Sequence, residues 1–274
     1  MISALVINLD HSSDRLNFQR QQLANLNLPM ERLLAVDNTD ILVNDYENLA
    51  NGWERKLSPA EVACFLSHKA AWQYVADSNK PWLIMEDDAL LSQSVPAILH
   101  EIINQEDKIE YVTLETRYRR KWLDKASTDL VEGYRLRRLY QDRSGAAAYV
   151  LFPSGAKKLL DKAQRSAPAL ADAFLCCSYE LNSWQVYPAA AIQLDQCCNY
   201  DLDFVNPFVS TITPLNYSRP EANNCVDYWR FKLRRVAAQL RMGWRQLSVC
   251  RQAEYVMVPI QKNDYEYKSD SSCI

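Results

Sequence analysis

Long apolar runs are missing from this sequence, and none approaches the roughly 20 residues that a helix needs to cross a bilayer. We therefore expect any membrane contact to be peripheral. Glycine is scarce, with five copies in 274 residues, and no internal repeat is visible. Because 48% of the residues are hydrophobic, disordered and fibrous classes are excluded. The length and composition suit one large α/β domain with a shorter appended segment.

A strong charge of either sign is also missing, since the formal net charge is -3 and the isoelectric point is about 5.7. This balance argues against a surface built to bind nucleic acid, and we predict no nucleic-acid partner. The sequence has no G-x-S-x-G motif, so nothing in it supports a serine nucleophile. Residues 1–10 have no basic lead and only a short apolar run, which predicts a strand rather than an export signal. We therefore expect a cytoplasmic location.

Cysteine spacing typical of zinc sites is absent as well. The eight cysteines include the adjacent pairs Cys176-Cys177 and Cys197-Cys198, but no C-x-x-C motif occurs. Neighbouring side chains rarely point into one tetrahedral site, and cytosolic thiols stay reduced. Buried thiols are therefore favoured over a zinc centre or a disulfide framework.

Strand-like and helix-like segments alternate along the first 200 residues, a pattern that predicts an α/β fold with a mostly parallel sheet covered by helices. The motif Ser58-Pro59-Ala60-Glu61 predicts a helix start, because serine caps, proline suits the first turn and glutamate completes a capping box. We divide the chain into a domain over residues 1–200 and an extension over residues 201–274, whose tail from residue 263 should be loose. The predicted strands are 5–9, 33–36, 82–85, 111–114 and 146–152, and the predicted helices are 12–26, 58–77 and one from Ser154.

Three consecutive acids, Glu86, Asp87 and Asp88, follow the all-apolar strand predicted at 82–85. Ligands bind at the carboxyl ends of strands in open α/β sheets, and like charges this close repel unless a cation lies between them. Their hard oxygen atoms suit Mn²⁺ or Mg²⁺, which would bridge the phosphates of a nucleotide. A solvated acidic turn is the alternative. The cluster alone would equally fit a metal-dependent phosphohydrolase or nucleotidyltransferase acting on a sugar nucleotide.

Several motifs together resemble glycosyltransferase family 25 in order and spacing. The resemblance covers about residues 1–190, with weaker blocks at 145–150 and 155–156. The motifs are residues 6–10 (VINLD), 14–15 (DR), 35–37 (AVD), 57–68 (LSPAEVACFLSH) and 86–88 (EDD). Since the family includes bacterial lipooligosaccharide galactosyltransferases, the resemblance implies a GT-A type, Rossmann-like domain that transfers a hexose. It favours UDP-galactose as the donor and a lipid-linked oligosaccharide as the acceptor.

The resemblance also implies roles for the acids. Glu86 and Asp88 would fill the two acidic positions of a D-x-D-like metal motif. Asp88 is the expected direct ligand, and Glu86 or Asp87 would reach the ribose or a metal-bound water. The metal would neutralise the charge that grows on the β-phosphate as the sugar leaves.

Further donor contacts are expected where the first two strands end. Asn8, Leu9 and Asp37 lie where uracil and ribose should bind in such a sheet. Arg15 would pair with a phosphate, or it would merely hold Asp37 or Asp14. His68 shares a helix face with Cys64 and Glu61, and we interpret it as a hydrogen-bonded structural histidine.

Asp172 is the candidate catalytic base. Inverting transfer from an α-linked donor needs a carboxylate that takes the proton of the acceptor hydroxyl. The resemblance places an aspartate soon after a proline, although here three residues separate Pro168 from Asp172. A helix-capping aspartate is an equally good interpretation.

Two basic segments complete the sequence-based predictions. Residues 228–251 carry seven basic residues and no acid, interleaved with aromatic and aliphatic residues, which is typical of a helix on an anionic membrane surface. A helix packed on the core with a solvated basic face is the alternative. We expect peripheral association with the inner face of the cytoplasmic membrane. A second cluster, formed by Arg117, Arg119, Arg120 and Lys121, would line an acceptor groove.

Overall fold

The computed structural model describes residues 2–105, 109–143, 145–204, 206, 208, 222 and 224–265. Most of the loop segment predicted after residue 200 lies outside this range, as do residues 266–274 of the tail that was predicted to be loose. The start of that tail is ordered, because Lys262–Tyr265 forms a 3-10 helix and Tyr265 is buried.

Twelve strands and seven α-helices occur in the described ranges, and most predicted elements are present within one to three residues of their expected bounds. The helices are α1 (Ser13–Asn25), α2 (Val43–Ala50), α3 (Pro59–Ser78), α4 (Val95–Asn104), α5 (Pro153–Arg165), α6 (Ala171–Cys176) and α7 (Cys225–Val249). The strands are β1 (Ser3–Asn8), β2 (Met30–Leu34), β3 (Trp82–Glu86), β4 (Ala89–Leu91), β5 (Tyr111–Thr113), β6 (Arg120–Asp124), β7 (Thr128–Val131), β8 (Tyr134–Gln141), β9 (Ala148–Leu151), β10 (Ser183–Tyr187), β11 (Ala191–Gln193) and β12 (Ala253–Met257).

Ten of these strands form one mixed sheet in the order β12-β6-β8-β10-β5-β9-β3-β1-β2, with β7 paired to β8. β1 runs parallel to β2 and β3, and β10 runs parallel to β5. The described pairings of β6, β7, β8, β9 and β12 with their neighbours are antiparallel. The expectation of a mostly parallel sheet therefore holds around β1 and is corrected for the rest. A short turn joins the antiparallel pair β7 and β8, whereas β6 and β12 are far apart in sequence.

The centre of the sheet is apolar on both faces because β1, β3 and β9 lie between helices. Residues 82–85 of β3 are all buried, as a strand covered on both sides requires. α3 packs on one face through Phe65 and Trp72, which contact Phe174 of α6 at ring-centroid distances of 5.1 and 5.3 Å. The predicted capping box of α3 is confirmed, since Ser58 and Glu61 each accept a hydrogen bond from the other's backbone N–H.

The strand that follows the acids belongs to a second, small sheet. β4 pairs with β11, and the backbone N–H of Leu194 donates to the Asp88 carbonyl oxygen at 3.0 Å. β12 comes from beyond residue 200 and joins the large sheet by pairing with β6. The boundary near residue 200 stays a prediction.

α7 docks on the body of the protein through its basic face. Arg234 donates to the carbonyl oxygens of Asn51 (2.6 Å) and Trp53 (3.1 Å). Arg245 donates to the Tyr140 carbonyl oxygen at 3.1 Å and lies over the rings of Tyr140 and Tyr179. This orientation turns the apolar face of α7 toward solvent, the reverse of the usual packing of an amphipathic helix. In the described part of the chain, no helix is both long and apolar enough to span a membrane.

Candidate active site

A cleft of about 350 Å³ opens where β1, β2 and β3 end, which is a typical size for a ligand site. The parallel pairing of β1 with β3 brings these ends together, since Ile7 stands opposite Glu86. Six residues predicted from the sequence line this cleft: Leu9, Arg15, Asp37, Glu86, Asp87 and Asp88. The other two, Asn8 and Asp172, do not line it.

Asp87 is held by two side chains from the first β-α unit. Asn8 donates from Nδ2 to one carboxylate oxygen at 2.8 Å, and Arg15 pairs with the other at 3.0 Å. Gln19 on α1 also donates to the Asp87 carbonyl oxygen at 3.1 Å. Burial raises the pKa of Asp87, and the bonds from Asn8 and Arg15 oppose that rise. Arg15 thus contacts Asp87 rather than Asp37 or Asp14, and its contact with a donor phosphate stays a prediction.

Glu86 is held from two directions. His68 lies 3.1 Å from Oε1, and Gln193 donates to Oε2 at 3.1 Å. Trp72 donates to the Tyr149 hydroxyl at 3.0 Å, and that hydroxyl lies 2.9 Å from Nδ1 of His68. Because the buried hydroxyl already accepts from Trp72, its own hydrogen is free to point at Nδ1. Since a carboxylate only accepts, the proton of His68 is assigned to Nε2, which would donate it to Glu86. The two ring contacts confirm the hydrogen-bonded histidine predicted from the sequence.

Asp88 differs from its two neighbours because one of its oxygens is unpaired. Oδ1 is buried and has no hydrogen-bond partner among the described residues. Burial, followed by the charges of Glu86 and Asp87, raises the pKa of Asp88 above its usual range. A buried carboxylate oxygen without a partner is costly unless a ligand satisfies it. The residues present therefore fit a hard divalent cation, for which Asp88 would supply an oxygen ligand.

A second donor set lies beside the acids. One potential ligand atom each from Cys64, His68 and Glu86 lies within 4.8 Å of the others. Burial raises the pKa of the Cys64 thiol well above its usual value, which opposes the thiolate that a metal needs. Both ring nitrogens of His68 are engaged as well. The set is thus better suited to positioning Glu86 than to holding zinc.

Asp37 is the N-cap residue of the 3-10 helix Asn38–Asp40, which follows β2. β2 ends at Leu34, two residues earlier than the predicted strand, so Asp37 lies on the loop at the cleft edge. Its Oδ1 accepts hydrogen bonds from the Thr39 backbone N–H (2.9 Å) and hydroxyl (2.8 Å). These bonds lower the pKa of Asp37. The carboxylate stays charged and accessible, as a ribose contact would require.

Asp172 lies in the first turn of α6, where the preceding Leu170 is the N-cap residue. Its Oδ1 accepts a hydrogen bond from the Ala173 backbone N–H at 2.6 Å. Burial raises the pKa of Asp172, and the nearby charge of Glu86 raises it further. The fold thus brings Asp172 within electrostatic range of the acidic cluster. Whether it acts as the base or only supports its helix stays a prediction.

Comparison with known proteins adds to this geometry. The model of glycosyltransferase family 25 (LPS biosynthesis protein) matches residues 1–175, which is more than half of the chain. The chain belongs to glycosyltransferase family 25. It is also similar to the lipooligosaccharide biosynthesis protein lic2B of Haemophilus influenzae, with 27% identity over 162 residues. That alignment covers 56% of this chain and 60% of lic2B. All three members of the acidic cluster lie within the span that matches the family.

Two residues that no sequence pattern indicated reach the cleft region from β11 and from the 3-10 helix that follows it (Leu194–Tyr200). Gln193 and Asp195 both bond with the guanidinium of Arg117, the latter at 3.0 Å. Asp195 also lines the cleft and contributes to the raised pKa of Asp88. No local signal marks these residues, because Gln193 follows Glu86 by 107 positions.

The predicted basic acceptor groove is corrected in part. Lys121 is buried and pairs with Asp142 at 2.6 Å, so it does not line an open groove. Arg117 is turned toward the cleft by its bonds to Gln193 and Asp195. Arg119 and Arg120 remain on the surface, and two exposed arginines alone do not define an acceptor site.

Glu115 is a further buried acid near the site. Its Oε2 accepts a hydrogen bond from the Ala147 N–H at 2.8 Å, while Oε1 has no partner among the described residues. A side chain at Gly145 would approach Oε2 to 2.9 Å, which explains why glycine occupies that position at a φ of +115°. Burial, followed by the charge of Glu86, raises the pKa of Glu115 to about 8.

Replacing Glu115 by glutamine is expected to flatten the pH dependence of stability. Between pH 4.5 and about 8 the folded chain keeps a proton that the unfolded chain releases, so the free energy of unfolding falls as pH rises. The slope from one group is at most about 1.4 kcal/mol per pH unit. Urea unfolding at pH 5 and pH 8 should show that the free energy of unfolding of Glu115→Gln rises relative to that of the wild type at the higher pH. The exposed Glu132→Gln is the matched control, and parallel curves for Glu115→Gln would contradict the assignment.

Proposed function

We propose that the protein is a metal-dependent transferase of GT-A type that moves a hexose from a UDP-sugar to a lipooligosaccharide or related glycan. One observation carries the proposal: Asp88, whose buried Oδ1 has no partner among the described residues, lines a ligand-sized cleft within the span that matches the family. UDP-galactose is the favoured donor, by resemblance to the family. The similarity to lic2B, a lipooligosaccharide biosynthesis protein, supports the acceptor class.

In this proposal Asp88 is the direct ligand of Mn²⁺ or Mg²⁺, and Glu86 completes the motif while His68 and Gln193 fix its orientation. The cation would supply Lewis-acid stabilisation of the phosphate oxygens. Asp87 helps to position the cluster, because its carboxylate contacts Asn8 and Arg15. Its carboxylate oxygens would contact the donor through lone pairs that these two bonds do not use.

The donor nucleoside would bind along the ends of β1 and β2. Leu9 and Asp37 line this part of the cleft, and Asp37 presents a charged oxygen suited to ribose hydroxyls. The acceptor hydroxyl would approach from the side of α6, where Asp172 would take its proton in an inverting transfer. The raised pKa of Asp172 makes its carboxylate a stronger proton acceptor at a pH above that pKa.

A donor screen tests this function. The purified protein is incubated with each common UDP-sugar and Mn²⁺, with and without EDTA, and the release of UDP is followed. We expect metal-dependent release of UDP from UDP-galactose. Release of sugar phosphate or inorganic phosphate would instead favour a phosphohydrolase or nucleotidyltransferase, which would act on phosphorus with the same acids.

We also propose that α7 holds the enzyme on an anionic membrane, where a lipid-linked acceptor is presented. Seven large apolar residues recur every three or four positions on α7 and so share one face. Their exposed fractions lie between 51% and 76%: Val226, Trp229, Leu233, Val236, Leu240, Trp244 and Leu247. A patch of this kind on an otherwise polar surface indicates an interaction site. Pairing with a second copy is disfavoured, because the basic residues beside the stripe would repel their counterparts.

The orientation of α7 changes how the membrane contact would form. Arg234 and Arg245 face the body, and Arg235 lies 3.8 Å from Glu54. The apolar stripe would therefore enter the interface, and exposed cations such as Arg230 and Lys232 would meet the headgroups at its edge. Binding should then depend more on the apolar side chains than on salt concentration.

Replacing Leu240 and Trp244 by serine is expected to lower binding to vesicles that contain phosphatidylglycerol. Loss of two buried apolar side chains removes about 3 kcal/mol or more, or roughly a hundredfold in partitioning. Flotation of the full chain with and without the two substitutions measures this change. Leu42→Ser with Val43→Ser is the matched control, because those residues of the α2 region are equally exposed. Equal flotation of all three proteins, or no flotation of the wild type, would contradict the membrane contact.

A further inference from the structure

A second cleft, of about 380 Å³, lies between α7 and the body of the protein. Ala237 and Ala238 form its α7 wall, and their short side chains leave the space open. Aromatic rings of Trp53, Phe174 and Tyr179 line the opposite side. The cleft exists because α7 docks by its arginine face, whose long side chains hold the helix away from the body.

Three cationic side chains line this second cleft: Lys162 of α5 and Arg234 and Arg241 of α7. Glu54 is the acid among the lining residues; burial raises its pKa, and the charges of Arg235 and Arg241 oppose that rise. Glu180 lies outside the lining, with its carboxylate 3.8 Å from the Lys162 amine. The surroundings of the cleft therefore carry an excess of positive charge.

The cations keep hydrogen-bonding capacity. Lys162 donates to the Phe174 carbonyl oxygen (3.3 Å) and the Ser178 hydroxyl (2.8 Å), which uses two of its three N–H groups. Arg234 makes both of its hydrogen bonds to the Asn51 and Trp53 carbonyl oxygens from Nη1. The guanidinium of Arg241 has no hydrogen bond or salt bridge within the described ranges, and its charge acts on Glu54 and Lys162. Burial lowers the pKa of Lys162, and the positive charge of Arg241 lowers it further. A bound anion would relieve this repulsion.

We propose that the cleft binds a phosphorylated sugar of the acceptor glycan. Aromatic walls suit a sugar ring, and arginine with lysine suits a phosphate monoester. This proposal rests on the proposed transferase function. It places the phosphorylated part of the acceptor close to the candidate base, because Phe174, which lines the cleft, and Asp172 both belong to α6.

Titration with glucose 6-phosphate, followed by calorimetry, tests the site in the full chain without UDP-sugar or metal. We expect binding that unphosphorylated glucose does not show. Arg241→Gln should weaken it at least tenfold. The matched control Arg230→Gln changes an arginine of the same helix that lies outside the cleft and pairs with Asp227, and it should leave affinity within twofold.

Two further measurements distinguish the ways in which the proposal could be wrong. Asp88→Asn should bind glucose 6-phosphate as the wild type does, because the acids line the other cleft. Loss of binding in that variant would place the probe at the donor site and overturn the proposal. Equal affinity of Arg241→Gln and Arg230→Gln would overturn it too. If Arg241→Gln alters only flotation with vesicles of phosphatidic acid, the anion is a lipid headgroup and the glycan assignment is wrong. Absence of transferase activity would leave the calorimetric result unaffected.

Discussion

Asp88→Asn is expected to abolish metal-dependent release of UDP while leaving the fold intact. The substitution keeps the shape of the side chain but removes the negative charge of the carboxylate, whose buried Oδ1 has no partner among the described residues. Lewis-acid stabilisation by a divalent ion is worth several kcal/mol, and about 1.4 kcal/mol corresponds to a tenfold change in rate. Turnover should therefore fall at least a hundredfold, by about 3 kcal/mol in barrier height. Initial rates of UDP release at saturating UDP-galactose and Mn²⁺ measure the change.

Direct binding of the metal separates a ligand from a residue that acts in some other way. Mn²⁺ titration followed by electron paramagnetic resonance should show at least about tenfold weaker binding to Asp88→Asn. The exposed Asp45→Asn is the control for the loss of a carboxylate, because Asp45 lies on α2 away from the cleft. An Asp88→Asn protein with unchanged Mn²⁺ affinity would show that the metal, if any, is bound elsewhere.

Local signals in the sequence predicted much of this site. The capping box that begins α3 involves Ser58 and Glu61, three positions apart, so its interactions are visible in the sequence. The position of the acids after β3 is also visible in the sequence, because the residues that follow a buried strand lie at the edge of the sheet. Parallel pairing of β1 and β3 then places Asn8 beside Asp87 without any further information.

The remaining features depend on contacts between distant residues. Glu86 is oriented by His68, 18 positions before it, and by Gln193, 107 positions after it. Neither sequence separation can be predicted from the periodicity of a helix or a strand. The antiparallel half of the sheet was missed for a similar reason, since β6 and β12 pair across more than a hundred residues.

α7 shows a further limit of sequence patterns. Periodicity correctly places its apolar residues on one face, but the pattern is the same whichever face docks on the body. The docking side is decided by carbonyl oxygens at Asn51 and Trp53 that accept from Arg234. Such acceptors belong to a loop whose conformation no helical pattern predicts. A membrane-facing stripe and a basic cleft both follow from this single orientation.

Asp172→Asn is expected to lower the rate of transfer to an acceptor by about a hundredfold to ten-thousandfold, the usual contribution of a general base. The asparagine oxygen can still accept from the Ala173 N–H, so the bond that supports α6 is kept while the proton acceptor is lost. Donor affinity should change little, because Asp172 does not line the donor cleft. Single-turnover transfer at saturating donor, with thermal unfolding of the same protein, separates chemistry from stability.

The control for this variant is Asp161→Asn, an exposed acid on α5. A base with a raised pKa also predicts that wild-type transfer falls on the acid side of that pKa, because protonated Asp172 cannot accept a proton. Asp172→Asn should lose this acid limb. If instead the variant melts lower and keeps near-normal turnover, Asp172 supports α6 only. The base would then be sought among the acids that line the cleft, with Asp195 first, because Arg117 already holds its carboxylate beside Asp88.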